Sequence, residues 1–233
     1  MSKETIMTLR FSLPEAEVVE VEVKNLLNGG YAGRHQDHVR AHIEELAALG
    51  VPGPTVVPTM YPVASYLAQQ ATTVPVQHGR TSGEVEWAII VDDRNDLLLT
   101  LACDHTDREL EVHGIAWSKN ASPDVLASEA WRLSEVEDHI DQLTLTAWVT
   151  NDGREEEIQT ASLADLLPPS HWVVVLKERN LLQPGTVLLS GTVNMREGVN
   201  QFANAWRAEL RDPVLERSIA LAYDVVPMAE PIG

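Results

Sequence analysis

The sequence is poor in cysteine, in basic residues and in long apolar runs. Cys103 is the single cysteine among 233 residues, which excludes an intramolecular disulfide framework and fits a reducing compartment. The chain has 17 Lys and Arg residues against 35 Asp and Glu residues, for a formal net charge of −18. This excess of negative charge argues against nucleic acids and anionic membranes as partners.

The longest apolar stretches are too short for the core of a signal peptide or for a membrane-spanning helix. We therefore expect a cytoplasmic protein. Hydrophobic residues make up 44% of the chain, enough for a sizeable core. Neither an internal repeat nor linker-like composition marks a domain boundary.

Two apolar runs around a turn predict a β-hairpin in the middle of the chain. The runs cover residues 84–91 and 97–103, and the turn-rich stretch 92–96 separates them. In an antiparallel ladder that is symmetric about Arg94, each residue of one strand lies opposite the residue that is equally far from Arg94 on the other strand. A bulge in the turn would shift this register by one residue and turn the side chains to other faces.

The predicted hairpin brings three carboxylates together. Glu84 and Glu86 lie two residues apart on one strand face, and the symmetric register places Asp104 directly opposite Glu84. No basic residue lies among them in either strand. Such a cluster repels itself unless it is protonated or binds a cation, and oxygen ligands suit Mg²⁺, Mn²⁺ or Ca²⁺. The alternative interpretation is a solvated strand face with acidic turn residues.

Two cationic residues follow the hairpin and could hold an acidic substrate. Arg108 lies four residues after Asp104, and Lys119 follows the next predicted strand. A guanidinium offers a two-pronged contact to a carboxylate, whereas an ammonium offers a point charge. Taken alone, each residue could equally be a surface cation.

Apolar periodicity predicts a helix over residues 36–49. His42 falls within its apolar sector, and Glu45 follows three residues later, on the edge of that sector. A histidine in this position most often packs in the core. A carboxylate one turn away could instead orient the imidazole and raise its basicity, as a general base requires.

Other local patterns predict further elements. Alternating residues predict strands over 5–12 and 17–23, and the sequence Asn28-Gly29-Gly30 predicts a turn or loop. Ser122-Pro123-Asp124 is a helix start signal, which predicts a helix over 124–133. The apolar run 172–176 predicts a strand.

Several short motifs occur together and in a fixed order: Gly83-Glu84-Val85-Glu86, Asp104-His105-Thr106-Asp107-Arg108, Ser118-Lys119, and the stretch from Leu182 to Ser190-Gly191-Thr192. As a set they resemble the fumarylacetoacetate hydrolase superfamily, and more closely an uncharacterised branch of it. The resemblance implies an α+β, mainly β fold, a mixed β-sandwich roll with a few peripheral helices. It implies one domain over residues 1–233, with a hairpin and helix in about 1–70 and the metal-binding roll in about 71–233. It also implies a homodimer.

The resemblance further implies roles for individual residues. Mg²⁺ or Mn²⁺, with Ca²⁺ as a substitute in crystals, would bind to Glu84, Glu86 and Asp104. The residues that would contact a small anionic 2-oxo acid are Arg108, Glu111, Lys119 and Thr192. Glu111 stands where the superfamily usually has glutamine, which adds a charge to this set.

The function that the resemblance implies is that of a metal-dependent hydrolase, which cleaves a C–C bond in a small 2-oxo or 1,3-dicarbonyl carboxylic acid. Lys119 and Arg108 would stabilise negative charge, and His42, oriented by Glu45, would deprotonate water. A decarboxylase, hydratase or tautomerase on the same kind of acid is the nearest alternative. A metal-stabilised binding protein without turnover is a further alternative, and it would not need His42 and Glu45 near the metal.

Overall fold

A computed structural model describes residues 7–48, 53–230 and 232 of the chain. The strands in this part of the chain are β1 (Thr8–Ser12), β2 (Val18–Glu22), β3 (Asn25–Gly30), β4 (Thr59–Val63), β5 (Ala68–Gln69), β6 (Thr73–Val76), β7 (Thr81–Val91), β8 (Leu97–Asp107), β9 (Asp124–Leu126), β10 (Trp131–Arg132), β11 (Thr144–Asn151), β12 (Arg154–Ser162), β13 (Thr186–Leu189), β14 (Ala205–Asp212) and β15 (Arg217–Pro227). The α-helices are α1 (Gln36–Ala48), α2 (Arg108–Glu111), α3 (Ile115–Lys119), α4 (Leu133–Val136) and α5 (Pro169–Glu178).

The described strands form three sheets, so the expected mainly β architecture is confirmed. Strands β1 and β2 make a separate hairpin. The largest sheet has the order β4-β3-β13-β7-β8-β9-β5, with β10 also paired to β8. A five-stranded sheet has the order β12-β11-β14-β15-β6. Strands from before residue 70 therefore lie in the same sheet as the predicted metal-binding hairpin.

The central β7–β8 hairpin has the register that the sequence predicts. Glu84 pairs with Asp104, and the antiparallel ladder continues without a shift from Thr81↔Asp107 to Val91↔Leu97. Both strands are longer than their apolar runs, because polar residues extend each of them at the end away from the turn. The three carboxylates consequently share one face at that end.

Both faces of the central hairpin are buried, which explains its nearly continuous apolar sequence. On one face, Val85 and Trp87 belong to a core cluster shared with Trp206 of the five-stranded sheet. On the other face, Ala88 and Ile90 belong to a second cluster, which includes side chains of the β1–β2 hairpin. The carboxylates occupy the end of this second face and therefore lie inside the protein.

The predicted turn at Asn28-Gly29-Gly30 is wrong, because these residues end strand β3. This strand pairs with both β13 and β4. A Cβ atom on Gly29 would lie 2.7 Å from the carbonyl oxygen of Ser190. Glycine here allows two backbones to approach closely and does not mark a turn.

Two other local predictions are also wrong. Residues 124–133 form strands β9 and β10 in place of a helix, because pairing with β8 overrides the local start signal. Residues 172–176 lie in helix α5 in place of a strand. Pro169 occupies the first turn of that helix, where the missing N–H has no cost.

The predicted helix at residues 36–49 is confirmed over its described residues as α1, Gln36–Ala48. His42 and Glu45 lie in this helix, but their side chains fall outside the described part of the structure. Among the helices in the described residues, none is long and apolar enough to cross a membrane.

Candidate metal centre

The predicted carboxylates of Glu84, Glu86 and Asp104 meet at one point. One oxygen from each residue lies within 4.8 Å of the corresponding oxygens of the other two. Glu86 and Asp104 are fully buried, and the side chain of Glu84 is 14% exposed. This burial rules out the alternative of a solvated strand face, because carboxylates are buried only with compensating partners.

Two cations lie against these carboxylates, although neither strand of the hairpin contributes a basic residue to the cluster. The buried ammonium group of Lys119 donates hydrogen bonds to Glu84 Oε2, at 3.1 Å, and to Asp104 Oδ2. Arg108 Nη2 donates to Glu84 Oε1 at 2.8 Å. Both cations belong to the short helices α2 and α3, which follow the hairpin and return to its polar end.

The pKa values of Glu84 and Glu86 are shifted in opposite directions in this cluster. Burial alone would raise the pKa of Glu84, but the charges of Lys119 and Arg108 outweigh burial and lower it to about 2. Burial, together with the charges of Asp104 and Glu84, raises the pKa of Glu86 well above its usual range. Lys119 remains charged because the surrounding carboxylates raise its pKa despite its burial.

The two carboxylate oxygens of Glu86 indicate whether a metal ion fits this cluster. Its Oε2 accepts a hydrogen bond of 2.6 Å from the backbone N–H of Gly191, whereas its Oε1 is buried without a partner in the described structure. An unsatisfied buried carboxylate oxygen costs free energy unless it binds a proton or a cation. The donors are all carboxylate oxygens, so the residues present fit a hard divalent cation such as Mg²⁺ or Ca²⁺.

Arg108 is held on three sides. Its Nε donates to Ser82 Oγ at 2.6 Å, and its Nη1 contacts both carboxylate oxygens of Glu111 at 3.1 and 3.3 Å. The Glu84 contact completes the set. Asp107 fixes the helix that carries Arg108, since its carboxylate accepts hydrogen bonds from the first backbone N–H groups of α2. The guanidinium therefore links Glu84 to Glu111.

Thr192 closes the edge of β7 beside the cluster. Its hydroxyl donates to the carbonyl oxygen of Val85 at 2.9 Å and accepts from Gln159 Nε2 at 2.8 Å. Gln159 Oε1 in turn accepts a hydrogen bond from the N–H of Val85. The backbone between Glu84 and Glu86 is thus fixed by two side chains from other strands and loops.

A cavity of about 540 Å³ has Thr192 in its wall. Its lining includes Tyr31, His38, Val39, Thr160, Thr192 and Asn194. His38 and Val39 belong to α1, so the helix that carries His42 and Glu45 forms part of the cavity wall. The cavity is large enough for a small organic acid.

His105 is a packing and hydrogen-bonding residue beneath the cluster. Its Nδ1 lies 3.0 Å from the Tyr223 hydroxyl, and its Nε2 lies 2.9 Å from Thr81 Oγ1. Burial, reinforced by the charge of Arg108, lowers the pKa of His105 to about 3. The imidazole is therefore neutral near pH 7, and it faces the five-stranded sheet, away from the carboxylates.

Sequence reasoning missed Asp124, a further acidic residue at the centre. It is fully buried and pairs with Asp104 in the β8–β9 ladder, and Asn28 Nδ2 donates to its Oδ1 at 3.1 Å. Burial, followed by the charge of Asp104, raises the pKa of Asp124 well above its usual range. Its position after Ser122-Pro123 indicated a helix cap, and no local signal distinguished it from one.

The chain matches one family model over residues 29–223, and that model is described as "Protein of unknown function (DUF2848)". The match covers most of the chain. The protein belongs to this family. Among curated proteins, none matches this sequence.

Solved structures with the same fold include enzymes. A crystal structure of Cg1458 with inhibitor has a TM-score of 0.61 at 16% identity, covering 92% of this chain and 81% of that one. A 2-keto-3-deoxy-D-arabinonate dehydratase complexed with magnesium and 2,5-dioxopentanoate has a TM-score of 0.59 at 15% identity, covering 91% and 77%. The 4-oxalocrotonate decarboxylase from Pseudomonas putida G7, complexed with calcium and acetate, has a TM-score of 0.54 at 15% identity, covering 87% and 79%. The predicted fumarylacetoacetase-like fold is confirmed.

Proposed function

We propose that this protein is a divalent-metal-dependent enzyme that hydrolyses a C–C bond in a small 2-oxo or 1,3-dicarbonyl carboxylic acid. The observation that carries the proposal is the buried Glu84, Glu86 and Asp104 cluster with Lys119 in direct contact. Proteins of similar fold are described with magnesium and 2,5-dioxopentanoate or with calcium and acetate. These descriptions support a metal and a small organic acid as ligands.

A divalent cation held by the three carboxylates would supply a Lewis acid that withdraws electrons from a substrate carbonyl. The chain itself supplies fixed positive charge beside that position. Lys119 is buried and protonated, so it stabilises negative charge that develops on substrate oxygen as the C–C bond breaks. Arg108 adds a second positive charge, and its three contacts keep it in place without reorganisation during the reaction.

Hydrolysis also requires an activated water molecule. We assign this step to His42, with Glu45 as the carboxylate that orients it, because both lie on the helix whose first turns line the cavity. The imidazole would accept a proton from water, and the resulting hydroxide would attack the carbonyl carbon of the bond that breaks. The proton would then pass to the departing carbon.

A lyase or isomerase is the second candidate function. A decarboxylase, hydratase or tautomerase needs the same carboxylates and Lys119 but need not activate water for C–C cleavage. The descriptions of two similar structures as a dehydratase and a decarboxylase favour this candidate. A binding protein without turnover remains the third candidate, and Lys119 provides the means to separate it from the enzymes.

A substrate screen tests the proposal directly. Purified protein is incubated with acylpyruvates, oxaloacetate and related 2-oxo acids in the presence of Mg²⁺ or Mn²⁺, and loss of enol absorbance is followed while products are identified. We expect cleavage of an acylpyruvate to two acids by the parent and its loss in Lys119→Met, with Lys177→Met, an exposed lysine on α5, as the matched control. Loss of CO₂, a product that differs from the substrate by one water molecule, or an isomer of the substrate would favour the second candidate, and binding without any product would favour the binding protein.

A further inference from the structure

We propose that Glu111 restricts the substrate to 2-oxo acids that carry a single carboxylate and an uncharged far end. This inference rests on the proposed function, because it concerns the acid that the same site would bind. It is carried by the ion pair between Glu111 and Arg108 and by the charges that surround the metal centre.

Because of this ion pair, Arg108 has few N–H groups left to bind a second carboxylate of the substrate. Two nitrogens of its guanidinium contact carboxylates of the protein, Glu84 and Glu111, and the third contacts the hydroxyl of Ser82. Ser82 in turn donates to Gln201 Oε1 at 3.0 Å, which fixes that hydroxyl as well. A substrate carboxylate could make a two-pronged contact with Arg108 only by displacing Glu111 or Glu84 from it.

The charge balance of the site leads to the same restriction. Glu84, Glu86, Asp104 and Glu111 would carry four negative charges, which Lys119, Arg108 and a divalent cation match. One carboxylate on the substrate already makes the loaded site negative. A second one would add an uncompensated charge in a partly buried space.

The charge of Glu111 acts on two phenols, those of Tyr31 and Tyr61. Burial, with the charge of Glu111, raises the pKa of Tyr31. Burial also raises the pKa of Tyr61, on which the charges of Lys119 and Glu111 both act. Protonated phenols donate hydrogen bonds to carbonyl or hydroxyl oxygens, so they suit an uncharged polar group at the far end of the acid.

The test compares two ligands of equal chain length, 2-oxopentanoate and 2-oxoglutarate, which differ by a methyl group or a carboxylate at the far end. Their binding to the Mg²⁺-loaded full-length chain is measured by calorimetry, so the readout does not depend on turnover. Glu111→Gln is compared with the parent. Glu109→Gln, an exposed carboxylate on the same helix α2 that pairs with Arg80 and His78, is the matched control.

We expect the parent to bind 2-oxopentanoate at least about tenfold more tightly than 2-oxoglutarate. Glu111→Gln should tighten 2-oxoglutarate binding by about tenfold and change 2-oxopentanoate binding by less than about threefold, and Glu109→Gln should match the parent. Equal affinities for the two acids in the parent, or an unchanged ratio of these affinities in Glu111→Gln, would overturn this inference and leave the proposed function standing. If neither acid binds, the proposed function fails as well. The parent's preference tests the inference even if Glu111→Gln folds poorly.

Discussion

The backbone N–H of Gly191 donates a hydrogen bond of 2.6 Å to Oε2 of Glu86, which lies 105 positions earlier in the chain. Gly191 has a φ of +86°, and a Cβ atom there would lie 2.9 Å from the Cβ of Ala32. Both facts favour glycine at this position. Because the contact fixes Glu86 Oε2 while Oε1 is buried without a partner in the described structure, Gly191 orients a predicted metal ligand.

Gly191→Ala should therefore affect stability and metal binding together. The left-handed backbone and the clash with Ala32 should cost about 1–3 kcal/mol in the free energy of unfolding. Metal affinity should fall because Glu86 loses its orientation. Denaturant unfolding and calorimetric titration with Mn²⁺ measure the two effects. Gly198→Ala is the control, since Gly198 has a φ of +82° but open space around its Cβ position. Equal effects in both variants would contradict the role of Gly191.

Glu86→Ala should reduce divalent metal binding sharply. Glu86 contributes one of the three converging carboxylates and has an oxygen without another partner. Calorimetric titration with Mg²⁺ and Mn²⁺ measures the affinity, and Glu109→Ala provides an exposed carboxylate as the control. Mn²⁺ binding that is unchanged in Glu86→Ala would remove these residues as the metal centre.

Lys119→Met should have the opposite effect on metal affinity. The ammonium of Lys119 contacts two predicted ligands, Glu84 and Asp104, so its charge opposes the binding of a second cation there. Its removal should raise Mg²⁺ affinity by about tenfold or more, given the strength of the repulsion between two positive charges at contact distance in a protein. Lys177→Met should leave the affinity unchanged. Weaker Mg²⁺ binding in Lys119→Met would show that Lys119 organises the carboxylates for the metal.

The sequence predicts those parts of the centre that depend on short-range geometry. Side chains alternate along a strand, and a tight turn sets the register of a hairpin, so Glu84, Glu86 and Asp104 could be placed together from their numbers alone. The helix over 36–49 was likewise visible in its periodicity. Each of these inferences needs only residues that are near one another in the chain.

The remaining features of the centre depend on packing between distant segments. The contacts of Lys119 follow from the path of α2 and α3, and the Gly191 contact follows from the position of β13 between β3 and β7. Asp124 resembles a helix cap in sequence, and only its pairing with Asp104 shows that it is buried. Local patterns contain no information about such pairings, so the contacts of Lys119 and Gly191 and the burial of Asp124 could not be predicted.

Asp212 provides a stability prediction away from the metal centre. The residue is fully buried where β14 ends, and its carboxylate accepts from the N–H groups of Val214 and Leu215, from His139 and from Arg217. Burial alone would raise the pKa of Asp212, but the hydrogen bonds from Leu215, His139 and Val214 lower it below its usual value. Asp212→Asn should therefore reduce the free energy of unfolding near pH 7 by about 1–3 kcal/mol.

The pH dependence of this difference has a definite sign. Since the pKa of Asp212 is lower in the folded protein, its contribution is present in full above the unfolded pKa, about 3.9, and is lost as the pH falls through the folded value. The difference between parent and Asp212→Asn should shrink below about pH 4. Urea unfolding across this range measures it, with the exposed Asp224→Asn in the same strand pair as control. A difference that grows on acidification would contradict the assignment.

His42 separates the hydrolase from the other candidate functions. As a general base it should contribute about 10²–10⁴-fold to the rate of C–C hydrolysis, so His42→Gln should fold like the parent and lose that factor. As a packing residue on the apolar sector of α1 it should instead cost about 1–3 kcal/mol in stability and leave the turnover of folded protein unchanged.

Melting temperature and rate are measured on the same His42→Gln sample, using the substrate that the screen identifies. His113→Gln, the same exchange at an exposed histidine, controls for effects of the substitution itself. We expect an unchanged melting temperature and a large loss of hydrolysis, because the helix that carries His42 lines the cavity beside Thr192. A destabilised variant with full turnover would remove His42 from the mechanism. The carboxylates and Lys119 would then support a decarboxylase or tautomerase, which needs no activated water.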